Sequence, residues 1–220
     1  TVLGLVEPQS SGIAGGAFLL YYDAKTKKVQ AYDGRETAPA SADENYLRWI
    51  SPTDRTAPQP DARSSGRAIG VPGALRLLEA VHGEHGSKTW RELFDPAVRI
   101  ADDGFAISPR LAGAIADEAK NFANDAELRA YFLEPDGAPK KAGVKLTNPA
   151  YAKTLGAIAS EGAKAFYTGP IAEAIVASVR DTTGGRTAGT MTVEDLAQYA
   201  VKTREAVCTP YRDRELCGMP

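Results

Sequence analysis

An arginine and a glutamate stand side by side near the start of the chain, in the stretch YDGRETAPA, residues 32–40. The guanidinium of Arg35 is planar and permanently charged, and its parallel N–H groups match the two oxygens of a carboxylate. Such a side chain could hold an acidic substrate. The position, directly after a predicted strand, also suits an arginine that only supports the structure or faces solvent. The local sequence favours this second interpretation.

The two histidines offer a different chemistry. His82 and His85 are three residues apart near the end of a predicted helix, a spacing at which two imidazoles can share a metal ion. Two ligands do not complete a site, so the pattern favours a solvated helix end, and we expect no metal and no cofactor. Because the chain has no other histidine, a serine–histidine triad is also disfavoured.

The two cysteines can be placed by counting along a predicted hairpin. If residues 212–213 form its two-residue turn, Tyr211 faces Arg214 and Cys208 lies opposite Cys217. A non-hydrogen-bonded pair puts the two Cα atoms about 4.5 Å apart, at the short end of the disulfide range. A bridge is feasible and would indicate an oxidising compartment. A register shifted by one residue would leave two free thiols instead.

The glycines of GIAGGA, residues 12–17, raise a nucleotide-binding alternative. The dinucleotide fingerprint G-x-G-x-x-G follows a strand and opens a helix. These glycines have a different spacing and come before a strand. We therefore predict a tight turn that another backbone segment approaches closely.

The predicted elements around these residues indicate an α+β or layered α/β protein. Residues 18–22 and 29–33 form a hairpin, and the first strand is apolar throughout, as expected of a strand covered on both faces. The last segment, REAVCTPYRDRELCG, residues 204–218, is predicted to form a second hairpin, and helices fill the sequence between. Helix signals are Pro72, the pair Thr89 and Glu92, a break at Pro96, Ser108 before Pro109, and the pair Thr192 and Asp195.

Composition narrows the function classes. The 220 residues are 43% hydrophobic and 25% charged, which is ordinary for a soluble globular protein. A net charge of −2 argues against nucleic acid as a partner. No apolar run approaches the ~20 residues of a membrane span, and no signal peptide is visible. The abrupt start at TVLGLV and end at YRDRELCGMP lead us to expect that both flanks of a longer protein are missing.

Three stretches, in order, resemble the γ-glutamyltranspeptidase (glutathione hydrolase) family. They are VEPQSSGIAGGAFLLYYDAKTKKVQAYDGRETAPASA, then SGRAIGVPGALRLLEAVHGEHGSKTWRELFDPAVRIADDGFAIS, and GGRTAGTMTVEDLAQYAVKTREAVCTPYRDRELCGMP. One departure is that Ala14 and Ala17 interrupt a run where the family usually has four glycines. Ordered agreement over three blocks is specific, although the middle helices match least.

The resemblance implies an N-terminal nucleophile hydrolase with an αββα layered core, of which residues 1–220 are a single-domain part of the large subunit. In that family a precursor cleaves itself, and the freed N-terminal threonine of the small subunit attacks the γ-glutamyl amide. The resemblance puts this nucleophile beyond Pro220, so we expect no catalytic residue in this chain. Its α-amine can serve as the base, so no histidine is needed.

Carried onto this sequence, the family's binding residue for the α-carboxylate of the γ-glutamyl donor is Arg35, while Glu36 orders the segment. The expected donor is glutathione or a related γ-glutamyl compound, and the acceptor is an amino acid, a peptide or water. A cephalosporin (glutaryl) acylase and an inactive homologue acting as a binding module are alternatives. Relatives in bacteria suggest a periplasmic or secreted protein.

Overall fold

The computed structural model describes residues 1–122 and 125–220. Within these residues the chain forms nine α-helices and seven β-strands, interspersed with short 3-10 turns. The helices are α1 Val2–Val6, α2 Ala74–His85, α3 Asp95–Asp103, α4 Pro109–Phe122, α5 Ala126–Phe132, α6 Pro149–Glu161, α7 Lys164–Tyr167, α8 Gly169–Val179 and α9 Val193–Ala197. The strands are β1 Ala17–Asp23, β2 Lys28–Gly34, β3 Phe105–Ala106, β4 Lys145–Leu146, β5 Lys202–Glu205, β6 Val207–Tyr211 and β7 Arg214–Gly218.

These elements divide into two compact units. One unit comprises Thr1–Gly12 with Lys88–Glu161, and the other comprises Ile13–Ser87 with Gly162–Pro220. The first unit is mainly helical, with α3 packed against α6 and a short β3–β4 pair. Its larger core cluster is apolar throughout and consists of Ile107, Leu111, Ile115, Phe132, Leu133 and Leu146.

The predicted helix signals in the first unit are confirmed. The Glu92 carboxylate accepts from the backbone N–H and the hydroxyl of Thr89, at 2.8 and 2.6 Å. The chain then makes a 3-10 turn over Arg91–Leu93, and α3 starts anew with Pro96 in its first turn, so the predicted break is present. Ser108 accepts from the N–H of Leu111 at 3.0 Å and caps α4.

The second unit is built on an antiparallel sheet in the order β1-β2-β5. The predicted first hairpin is confirmed, with Phe18 opposite Asp33. β5 then pairs with β2, placing Lys202 beside Asp33. The sequence predicts separate hairpins at the two ends of the chain, whereas in the structure the late strand β5 joins the early hairpin. α2 packs against this sheet.

One face of β1 is uncovered in this chain. The side chains of Phe18, Leu20 and Tyr22 are on this face and are 50%, 40% and 58% exposed. The other face is partly covered, and there Tyr21 stacks on His85 of α2 with ring centroids 3.7 Å apart. The expectation that this strand is covered on both faces is therefore wrong for the chain alone, because only one layer of helix packs on it.

The end of α2 also differs from its prediction. The His85 side chain is only 22% exposed, and its Nε2 lies 3.1 Å from the Tyr32 hydroxyl. That hydroxyl donates to the Glu84 carboxylate at 2.6 Å. Burial, and next the neighbouring Glu84, raise the pKa of Tyr32 to about 12. His85 is thus packed against the sheet, and the prediction of a solvated helix end is wrong for this residue.

The second hairpin, β6–β7, has the predicted register. Tyr211 faces Arg214, Cys208 faces Cys217, and the two cysteines form a disulfide with their Cα atoms 4.1 Å apart. In the chain-entropy description, closing a loop of this size stabilises the folded state by about 3 kcal/mol. Among the described residues, the one metal-ligand cluster found is Cys208, Glu215 and Cys217, in which both sulfurs are already bonded to each other. None of the helices within residues 1–122 and 125–220 has the length and apolar character needed to cross a bilayer.

Candidate functional site

Arg35 follows directly after the last residue of β2, and its backbone is held on both sides. Its N–H donates to the Asp33 carboxylate at 3.0 Å, and its carbonyl accepts from the Tyr199 hydroxyl at 2.7 Å. Asp33 in turn accepts from the Nε of Arg204 at 2.8 Å. The N–H of Arg35, followed by Arg204, lowers the pKa of Asp33, so this carboxylate is charged at neutral pH.

The Arg35 side chain has much more freedom than its backbone. It is 53% exposed, and its Nη2 lies 3.2 Å from a carboxylate oxygen of Glu36. Its Cζ lies 5.7 Å from the centroid of the Phe18 ring. An ion pair at this exposure contributes little free energy. A ligand carboxylate can therefore compete with Glu36 for the guanidinium.

The segment after Arg35 is fixed by two distant parts of the same unit. Thr37 and Val71 exchange backbone hydrogen bonds of 3.2 and 2.8 Å. Farther along, the N–H of Ala40 donates to the Asp195 carboxylate at 2.9 Å. Asp195 also closes the predicted capping box with Thr192 at the start of α9, which is confirmed. The run of small residues beside Arg35 is therefore an ordered strip.

The glycine-rich stretch forms the predicted close approach to this strip. A Cβ added at Gly16 would lie 2.3 Å from a carboxylate oxygen of Glu36 and 2.7 Å from its backbone nitrogen. The carbonyl of Gly15 accepts from the N–H groups of Gly73 and Ala74, at 3.0 and 2.9 Å. The glycines thus let the chain pass against Glu36 and satisfy two donors at the start of α2.

A cavity of about 560 Å³ opens beside Arg35 and Glu36. Leu47 and Ile69 contribute exposed apolar surface to its wall, being 53% and 43% exposed. Arg67 lines the cavity as a second cation. The remaining lining residues are mostly small and are Ala14, Thr37, Ala38, Pro39, Tyr46, Ala68 and Gly70.

Arg67 organises the loop that forms one side of this cavity. Its guanidinium donates to the carbonyls of Tyr46, Trp49 and Ile50 at 2.7, 3.1 and 2.5 Å. Its Cζ also lies 4.6 Å from the centroid of the Tyr46 ring. Three N–H groups of Arg67 are used in this way, and its Nε is buried without a hydrogen-bond partner. Arg67 therefore shapes the wall, while the Arg35 guanidinium is the cation open to a ligand. The lining therefore suits an acidic molecule with a short apolar portion.

The fold and this site define the class of protein. A crystal structure of Helicobacter pylori γ-glutamyltranspeptidase aligns with all of this chain and 60% of that chain, with a TM-score of 0.88 and 32% identity. The fold is thus that of part of an N-terminal nucleophile hydrolase. The sequence profile of the gamma-glutamyltranspeptidase family matches residues 1–220, and the chain belongs to that family.

Two other comparisons bear on the predicted alternatives. The glutathione hydrolase proenzyme of Bacillus subtilis (strain 168) is 34% identical over 99% of this chain, which spans 36% of that protein. The structure of a cephalosporin acylase from Bacillus halodurans matches with a TM-score of 0.78 but 24% identity, over all of this chain and 40% of that one. The likeness to the acylase is therefore one of fold. The chain spans about a third of the length of the curated relative.

The sequence predicts Arg35 as a binding residue but does not predict the contacts that hold its backbone. Tyr199 is 164 residues away along the chain, and Asp195 was recognised only as a helix cap. Both lie in TVEDLAQY, whose capping pattern predicts a short helix and carries no signal for a contact with residues 35–40. His82 and His85 line no part of the cavity described above.

Proposed function

We propose that the complete protein transfers or hydrolyses the γ-glutamyl group of glutathione and related compounds, and that this chain supplies the donor-carboxylate site. The observation that carries the proposal is the Arg35 side chain, half exposed at a cavity while its backbone is hydrogen bonded on both sides. Membership of the γ-glutamyltranspeptidase family supports the reaction class. The acceptor is an amino acid, a peptide or water.

In this proposal the Arg35 guanidinium binds the α-carboxylate of the donor through two parallel N–H···O bonds. The donor's far end is thereby fixed, and its γ-carbonyl is directed toward the nucleophile. Glu36 keeps the guanidinium near the cavity when no donor is bound, since it lies against Gly16 and has little room to move. No group in the cavity lining described above combines a nucleophile with a histidine base. The reacting threonine, with the groups that bind the donor's amine and the oxyanion, belongs to a companion subunit from the same precursor, so this chain alone is inert.

The uncovered face of β1 is the surface on which this companion subunit packs. Phe18, Leu20 and Tyr22 form a row of exposed apolar side chains, and a layered core requires a second sheet on such a face. Phe18 lies under the Arg35 guanidinium, so a subunit on this face also reaches the cavity.

Leu20→Lys is expected to weaken association with the companion subunit at least about tenfold, because an unpaired ammonium would be buried at the contact. The measurement is co-purification of the two subunits after co-expression. The control is Leu128→Lys, a change at a leucine of similar exposure (38% against 40%) in the other compact unit. Equal recovery of the companion subunit with both variants would count against this surface.

We propose a periplasmic or secreted location, which the Cys208–Cys217 disulfide supports because such bonds persist in oxidising compartments. Thiol labelling of the protein taken from intact cells tests this. Absence of reactive thiol before reduction supports the location, and full labelling of both cysteines contradicts it.

The reaction is tested with the complete protein and two substrates. We expect turnover of γ-glutamyl-p-nitroanilide and much weaker turnover of glutaryl-cephalosporin, which keeps the terminal carboxylate but lacks the α-amine of the γ-glutamyl group. The reverse order would favour the acylase alternative. No turnover of either, with no threonine at the processing point, would favour an inactive homologue that serves as a binding module.

A further inference from the structure

The Tyr199 hydroxyl has no part in the function proposed above, yet it contacts the centre of the site. It donates to the Arg35 carbonyl at 2.7 Å. Tyr199 is 8% exposed, whereas the Arg35 side chain is 53% exposed. A buried phenol is therefore bonded to the backbone of a residue whose head group is free at the cavity.

Tyr199 has close neighbours at its ring and at its hydroxyl. The Tyr167 ring stacks on the Tyr199 ring, with centroids 6.1 Å apart and an interplanar angle of 20°. A Cβ added at Gly73 would lie 2.0 Å from the Tyr199 hydroxyl and 2.4 Å from the Gly34 carbonyl oxygen. The hydroxyl thus fits over a glycine, directly beside the residue that precedes Arg35.

The N–H of Arg35 is held as well. It donates to Asp33, two residues earlier in β2, and Asp33 is paired with Arg204 of β5. Burial, followed by the nearby charges of Asp33 and Glu36, raises the pKa of Tyr199, so its hydroxyl keeps its proton throughout the neutral range. The two peptide groups flanking Arg35 are therefore fixed from two directions, and only the side-chain torsions of Arg35 remain to be set on binding.

We propose that Tyr199 is a positioning residue for the donor site: its hydroxyl fixes the Arg35 carbonyl and thereby directs the guanidinium at the donor's α-carboxylate. This inference rests on the proposed function of Arg35. Tyr199 does not touch the donor. Its removal should therefore affect donors that carry the α-carboxylate and spare donors that lack it, which distinguishes positioning from a general contribution to folding.

The test uses Tyr199→Phe in the complete processed protein, which removes one oxygen and keeps the stacked ring. Two donors are compared: γ-glutamyl-p-nitroanilide and 4-aminobutanoyl-p-nitroanilide, which has the amine but not the α-carboxylate. We expect kcat/KM for the first donor to fall about five- to tenfold, mainly through KM, and for the second to change less than about twofold. The matched control is Tyr167→Phe, because the Tyr167 hydroxyl donates to the Pro72 carbonyl at 2.9 Å and not to Arg35. In this variant the ratio of kcat/KM between the two donors should stay at the value of the parent protein.

A double variant separates this inference from the proposed function. In an Arg35→Lys background, Tyr199→Phe should have little further effect on the γ-glutamyl donor, because both changes act on the same contact. If Arg35→Lys leaves the ratio between donors unchanged, the proposed function fails. If Arg35→Lys lowers that ratio while Tyr199→Phe affects both donors equally, or affects neither, Tyr199 is not a positioning residue.

Discussion

Arg35→Lys in the complete processed protein is expected to lower kcat/KM for γ-glutamyl-p-nitroanilide by tens- to hundreds-fold. A lysine keeps the positive charge but offers a single ammonium in place of the two parallel N–H groups. Loss of one bond to a desolvated carboxylate costs about 2–4 kcal/mol. The Arg35 side chain is half exposed in this chain, so the full effect requires that the companion subunit exclude water from the site.

The control for this substitution is Arg214→Lys in the second hairpin. The Arg214 side chain is 81% exposed and is paired with its sequence neighbour Asp213. The same chemical change there should leave kcat/KM within about twofold of the parent value, since exposed ion pairs contribute little free energy. Near-equal kinetics of the two variants would remove Arg35 from the donor site and, with it, the main support for the proposed function.

The parts of this structure that the sequence predicts well are those set by neighbouring residues. The hydrogen bond from Thr89 to the Glu92 carboxylate and the capping box formed by Thr192 and Asp195 each join residues three apart in the sequence. The alignment of Cys208 with Cys217 follows from a two-residue turn, because every later pair in an antiparallel hairpin is fixed by that count. Local rules were sufficient in each of these cases.

The unpredicted parts depend on partners that lie far along the chain or outside it. The Tyr199 hydroxyl meets Arg35 only because β5 pairs with β2, and no local pattern specifies that pairing. The apolar run of β1 predicts a strand covered on both faces, yet Phe18 and Tyr22 are 50% and 58% exposed. The apolar pattern predicts that this strand is buried, but it does not indicate which chain covers it. For Arg35 itself, the family resemblance rather than local chemistry predicts a binding role.

Gly66→Ala is expected to produce a large loss of stability in the second unit. A Cβ at residue 66 would lie 2.0 Å from the Val179 carbonyl oxygen and 2.6 Å from the Gly189 nitrogen. Both are backbone atoms, and the N–H of Gly189 is itself bonded to the Val179 carbonyl at 2.9 Å. Relief of the clash requires the end of α8 to move. The expected cost is about 3–5 kcal/mol, or a decrease of the melting temperature by roughly 6–20 °C.

Gly83→Ala provides the matched control because the same methyl group there meets nothing within 4 Å. It lies on the exposed side of α2, and the change should raise stability by about 0.5–1 kcal/mol through helix propensity. Thermal unfolding of the complete protein measures both effects. Gly66 precedes Arg67, the residue that organises the cavity wall, so Gly66→Ala should also lower activity at temperatures where the protein is still folded. A melting temperature within about 2 °C of the parent would show that these backbones separate at little cost, and that the wall beside Arg35 is less rigid than its hydrogen bonds indicate.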